Sequence, residues 1–97
     1  MRIVILDEAI DDLIQGARFY DRQEAGLGEY FLDSRYADIE SLQLYAGIHL
    51  VQFGKHRLLS KRFPFGIYYT VEQDEVRVFA VLDRRRDPAW IRDRLGP

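Results

Sequence analysis

Arg84, Arg85 and Arg86, followed by Asp87-Pro88 and by Trp90, form the part of this chain best suited to recognition chemistry. A guanidinium is planar, forked and permanently charged, so a cluster of three suits the capture of phosphate or of carboxylates on an acidic partner. The preceding stretch, from Lys61 to Asp83, reads as apolar strands that deliver the cluster to one edge of a sheet. That arrangement fits a surface holding something large better than a small-molecule pocket. If the triplet continues a strand, Arg84 and Arg86 share a face and Arg85 points away. The same arginines can instead pair with Asp83, Asp87 or an acidic helix, at little net stabilisation. Trp90 can stack on a base or ring, although a tail-helix tryptophan more commonly anchors itself to the sheet.

Groups that titrate near neutrality are few. Histidine ordinarily titrates at about pH 6.5, so His56 is the natural acid or base of the chain. Its position between Gly54 and Arg57 also reads as an exposed loop. His49, among Ile48, Leu50 and Val51, reads as the start of the sheet. Asp7, Glu8, Asp11 and Asp12 fall at a helix start, where capping and the helix dipole account for them. No histidine accompanies them at ligand spacing, so neither a metal site nor a cofactor is expected.

Composition sets the frame. The chain has 97 residues, 47% of them hydrophobic and 13% aromatic, which is ample for one packed domain over 1–97 and argues against disorder. It has no cysteine, which removes disulfides and thiolate metal sites and suits a reducing compartment. No apolar run approaches the roughly 20 residues needed to cross a bilayer. The run Ile3-Val4-Ile5-Leu6 is too short for a signal peptide, so no membrane role and a cytoplasmic location are expected. The net charge of −2 is divided unevenly. Residues 1–47 carry four basic against ten acidic groups, a balance of −6, and residues 48–97 carry ten against six, a balance of +4. One face of the molecule should therefore be basic, unless acidic helices merely solvate one side.

The elements that must position these groups follow from periodicity. Ile3 to Leu6 reads as a buried strand. Asp7 is a plausible N-cap for an amphipathic helix over 8–23, with Ile10, Leu13, Ile14, Ala17 and Tyr20 inward. Gly26-Leu27-Gly28 interrupts the pattern. A second helix runs to about Leu44, with Leu32, Tyr36, Ile39 and Leu42 on its buried side, so the two form an antiparallel hairpin. After Gly47 the period becomes strand-like: 57–63, a Pro64-Phe65-Gly66 turn, 67–72, a Gln73-Asp74 turn and 75–82. Residues 67–71 and 78–82 are apolar on both faces, as expected if helices cover one side and a partner or a chain segment approaches the other. Pro88 opens a short tail helix. The expected fold is α+β: a helical hairpin packed on a small, mainly antiparallel sheet, in the order β-α-α-β-β-β with a short C-terminal helix.

The ordered set Tyr20, Gly26-Leu27-Gly28 and Phe31, Arg57-Leu58-Leu59, Arg62 to Tyr69, and Val81 to Pro88 resembles the RelE/ParE superfamily of bacterial toxins. The resemblance covers nearly the whole chain. It implies a growth-inhibiting toxin of a type II toxin–antitoxin pair, of the kind linked to plasmid stabilization, neutralised by a co-encoded antitoxin that would supply any DNA contact. The RelE-like branch implies ribosome-dependent cleavage of mRNA, and the ParE-like branch implies inhibition of DNA gyrase by protein–protein contact. Cleavage of RNA without metal needs a base, a charge stabiliser and an acid. The candidates for it are Lys55, His56, Arg57, Lys61, Arg62 and the arginines Arg84, Arg85 and Arg86, with Arg86 the foremost of the three. In the nuclease pattern the end of the last strand or the tail supplies a histidine or tyrosine; here Asp83 follows Val81-Leu82, and an aspartate repels phosphate. The ParE-like branch is therefore the closer one. Arg84, Arg85, Arg86, Trp90, Tyr68 and Tyr69 are then the expected partner-binding residues. A toxin-fold protein without toxicity, acting only as a partner in an autoregulating complex, is the remaining alternative.

Overall fold

A computed structural model of the chain describes residues 1–96. Strand β1 (Arg2–Ile5) leads into helices α1 (Asp7–Gln23), α2 (Leu27–Glu40) and the single-turn α3 (Leu42–Tyr45). Strands β2 (Val51–Gln52), β3 (Lys55–Leu59), β4 (Phe65–Glu72) and β5 (Glu75–Asp83) follow, and helix α4 (Pro88–Leu95) closes the fold. The sheet runs β1-β5-β4-β3-β2, with β1 parallel to β5 and all other neighbours antiparallel. This is the expected α+β architecture, with α3 and β2 as short additions.

The sheet is buried on both faces, as its apolar runs require. On one face the helical hairpin packs Ala9, Leu13, Phe31 and Ile39 against Ile67, Tyr69, Val76, Val78 and Val81. On the other, Ile91 and Leu95 of α4 cover Tyr68, Ala80 and Leu82. A register shift opposite Tyr68 and Tyr69 pairs them with Ala80 and Val78, leaving Phe79 as the extra residue of a bulge. The end of β5 is thereby re-aimed towards α4.

Several local expectations are corrected. Leu6, not Asp7, occupies the N-cap of α1, so Asp7 and Glu8 act on the helix dipole from inside the first turn. The buried stripe of α1 is Ala9, Leu13 and Gly16, with Ala17 and Tyr20 half-buried, while Ile10 and Ile14 are exposed. The helix is rotated because the Phe31 ring sits where a side chain at position 16 would be. On α2 the buried residues are Gly28, Phe31, Arg35 and Ile39, and Tyr36 faces outward. The strand expected over 57–63 starts at Lys55 and stops at Leu59. It starts early because Phe53 and Gly54, both with positive φ (54° and 80°), form a tight two-residue hairpin with β2. His49 lies just before β2 rather than in the sheet.

Candidate partner-binding site

The groove between α1 and the β5–α4 connection has a volume of about 750 Å³ and is lined by Asp12, Arg18, Tyr20, Asp83, Arg86 and Trp90, among others. Its far wall is set by α4. Asp87 caps that helix by accepting from the Ala89 N–H at 2.9 Å, and Pro88 supplies a preset φ at the first turn. Ile91 and Leu95 turn inward at helical spacing and fix α4 to the sheet.

Asp12 ties three elements together. Its Oδ2 accepts from the Val81 N–H of β5 at 3.0 Å and from Arg94 Nη2 of α4 at 2.7 Å. Burial raises the pKa of its carboxyl above the ordinary aspartate value, against the opposing pull of the Val81 N–H and the Arg94 guanidinium. A folded-state pKa above the unfolded one means that this group favours folding most when protonated, and that the benefit is lost as pH rises through the folded pKa. Asp12→Asn keeps the acceptor for Val81 and abolishes the titration. The stability gap between wild type and Asp12→Asn should therefore move in favour of wild type between about pH 7 and about pH 4, as read from urea midpoints. An unchanged gap would mean that Asp12 titrates normally.

The arginine triplet lies in a turn, not in a strand, because β5 ends at Asp83 and the Arg86 N–H bonds back to the Asp83 carbonyl at 3.2 Å. The alternating-face reading is thus corrected, and each arginine has its own role. Arg85 grips Asp83 in a two-pronged pair, Nε to Oδ1 at 3.0 Å and Nη2 to Oδ2 at 2.7 Å, and its backbone N–H adds a third bond at 2.9 Å. That hydrogen bonding holds the Asp83 carboxyl below the ordinary aspartate range. Arg86 lies over the Trp90 ring, 4.0 Å from its centroid. Arg84 is exposed and makes no side-chain hydrogen bond or ion pair among the described residues. Trp90 remains 39% exposed, so Ile91 and Leu95 anchor α4 and the tryptophan serves as a platform for Arg86.

Tyr68 and Tyr69 do not belong to a partner surface. Both are fully buried, Tyr68 beneath α4 and Tyr69 beneath the helical hairpin. The Tyr69 hydroxyl accepts from the Gly47 N–H at 3.0 Å and bonds His49 Nδ1, whereas the Tyr68 hydroxyl has no partner among the described residues.

The acid–base candidates are divided rather than assembled. His56 stacks on Tyr69 at 5.1 Å on the hairpin face, its Nδ1 donating to the His49 carbonyl at 2.7 Å. It is a bonded strand residue, not an exposed loop histidine. Alternation along β3 turns Lys55 and Arg57 to the opposite face. There Lys55 Nζ sits 4.8 Å from the Phe79 ring centroid, and Arg57 Nη1 donates to Gln52 Oε1 at 2.9 Å. Arg62 stacks on Tyr30 of α2, and Lys61 is exposed beside it. Arg86 is in the groove. Among the described residues no group of histidine, aspartate and glutamate side chains could hold a metal ion.

No known family model matches the chain, and no curated protein matches it. A solved structure described as "Chromosomal ParDE TA system from P. aeruginosa" contains a similar chain. The two superpose with a TM-score of 0.76 at 19% identity, over 84% of this chain and 92% of that one. This chain shares the fold of that chain. Within that fold, the sequence reading missed Asp12, Arg94 and Arg35. Arg35 was legible in principle, because it falls on the Gly28, Phe31, Ile39 stripe with Asp38 three residues on. No helix among the described residues is long and apolar enough to cross a membrane.

Proposed function

We propose that this chain is the toxin component of a type II toxin–antitoxin system, neutralised by a co-encoded antitoxin and ParE-like in action, with DNA gyrase as its target. The observation that carries the reading is the fold, shared over 84% of the chain with a chain of a ParDE toxin–antitoxin system. The division of His56, Arg57 and Arg62 among separate surfaces favours binding over RNA cleavage, because general acid–base catalysis needs its groups within reach of one phosphate. Exposed Ile10, Ile14 and Tyr36 on the hairpin suit coverage by an antitoxin. Arg86, poised on Trp90 at the edge of a groove lined by both acidic and basic groups, and Arg84, unpaired beside it, suit carboxylates on a target surface. The cytoplasm is the compartment this function requires.

The test is tightly controlled induction of the chain alone, with growth and a DNA-damage reporter followed in the same cells. Arrest with a damage signal is expected. Arg86→Ala should weaken target binding about thirtyfold, from a hot-spot loss of about 2 kcal/mol, and relieve the arrest. Arrest without a damage signal moves the target to translation, and mRNA cleavage is then the activity to assay. Soluble protein without arrest assigns the chain to a non-toxic partner role.

A further inference from the structure

The sheet edge at β2 is open, and the sequence around it is uncharged. Fourteen consecutive residues, Ser41 to Gly54, include no Asp, Glu, Lys or Arg, in a chain where 31% of residues are charged. Within that stretch Ile48, Leu50 and Val51 are 71%, 85% and 60% exposed. Edge strands of natural proteins are ordinarily blunted by shortness, lysine, proline or an inward charge; β2 is short, at two residues, but has none of the others. The other edge, β1, begins with Arg2, whose guanidinium pairs with Glu75.

The hydrogen-bonding pattern identifies which backbone groups are free. Gln52 and Lys55 close the two-residue hairpin, and the Arg57 N–H donates to the Leu50 carbonyl at 2.9 Å. The bonded pairs of this ladder are therefore Gln52–Lys55 and Leu50–Arg57. Val51, opposite His56, falls between them and turns both its N–H and its C=O away from the sheet.

One outward residue offers two hydrogen bonds, so apolar contact must supplement them for any strand added at this edge. A second copy meets the same geometry with full use of both bonds. About a two-fold axis at Val51, each copy's Val51 N–H donates to the other's Val51 carbonyl, and the strands run antiparallel as the axis demands. The operation also brings two copies of Ile48 and Leu50 out of water, and the stretch that meets its copy carries no formal charge of its own, the Arg57 guanidinium on Gln52 being the neighbouring one. We propose that this chain self-associates as a two-fold dimer through the β2 edge, joining two sheets into one continuous sheet. The proposal rests on no part of the toxin reading.

The experiment is sedimentation velocity of the purified full chain across a wide concentration range, beside Val51→Pro and Leu50→Lys. Proline at 51 removes only the outward N–H, and lysine at 50 puts two like charges beside the axis. Far-UV circular dichroism checks that both variants keep the fold; if the proline does not, the lysine decides. The unmodified chain should reach twice the monomer mass, and the folded variants should dimerise at least about tenfold more weakly, a loss of about 1.4 kcal/mol. The proposal is overturned by a chain that stays monomeric, by a dimer indifferent to the folded variants, or by association that continues past two copies. It is also overturned if the Val51 amide is protected from exchange only when a different protein, such as a co-encoded antitoxin, is added.

Discussion

Asp38→Ala should lower the unfolding free energy by about 3 kcal/mol, at the lower end of the range for stripping one partner from a buried ion pair. Arg35 is 1% exposed and lies between the rings of Phe31 and Phe63, 5.3 and 5.0 Å from their centroids. Its Nη2 and Nε reach Asp38 Oδ2 at 3.1 and 3.3 Å, and Ser60 Oγ donates to the same oxygen at 2.9 Å. Burial already lowers the Arg35 pKa, opposed first by the Asp38 charge, yet an arginine this far above neutrality stays ionised. Without the carboxylate, a guanidinium would be left among aromatic rings with no anion, and its Nη1 already has no acceptor among the described residues. The Asp38 side chain is 28% exposed, so water can soften the loss, which is why the lower end of the range applies. Arg35→Met tests the opposite change. It removes the charge, keeps much of the volume and offers sulfur to the same rings, so it should stay within about 1.5 kcal/mol of wild type. Urea denaturation followed by circular dichroism measures both. A milder effect for Asp38→Ala than for Arg35→Met would sink the idea that this pair depends on its anion.

The same arginine shows where sequence reading stops. The order of the main elements along the chain was legible, though not the short α3 and β2, because apolar runs and turn residues such as Pro64 and Gln73-Asp74 are local signals. Helix rotation was not. The period of α1 admits Ile10 and Ile14 as inward residues as readily as Ala9 and Gly16, and what decides is the bulk of Phe31 on another helix. Apolar content then misleads, since the smallest residues are buried at the crossing and two isoleucines are left in water. A buried cation is likewise invisible to a reading that places charge outside by default.

The candidate site divides along the same line. That Arg84 to Trp90 forms a cationic, aromatic corner was legible from composition alone. The separate roles within it depend on β5 ending at Asp83, which frees the triplet from strand alternation and lets Arg85 fold back on its neighbour. The misplacement of Tyr68 and Tyr69 has a related cause. Tyrosine-rich strands read as an open binding face only if one side of the sheet is uncovered, and here the tail helix covers Tyr68 and the helical hairpin covers Tyr69. The Asp12–Arg94 pair spans 82 positions, a separation over which no pattern in the chain could have joined them.

Gly28→Ala gives the second large effect, and its sign opposes intrinsic propensity. In an exposed helix, alanine stabilises over glycine by about 1 kcal/mol. At Gly28 an added Cβ would lie 2.4 Å from the Ala17 carbonyl oxygen of α1 and 3.0 Å from Asp21 Oδ1. The nearer obstacle is backbone, so it cannot rotate away, and relief requires the two helices to separate. Separation also pulls on Asp21, whose Oδ1 accepts from the Gly26 and Gly28 N–H groups at 3.1 and 3.0 Å and satisfies the start of α2. Gly26 contributes differently, through its φ of 88° at the turn between the helices. A net loss of about 2–3 kcal/mol is expected for Gly28→Ala, from overpacking and weakened capping less the propensity gain. The loss should appear in the urea midpoint, and a raised midpoint would show that the helices are not held this close. Since Phe31 lies one turn further along α2 and fills the space over Gly16, a hairpin opened at Gly28 also loosens the aromatic packing around Arg35. The two substitutions therefore share a path and should combine less than additively.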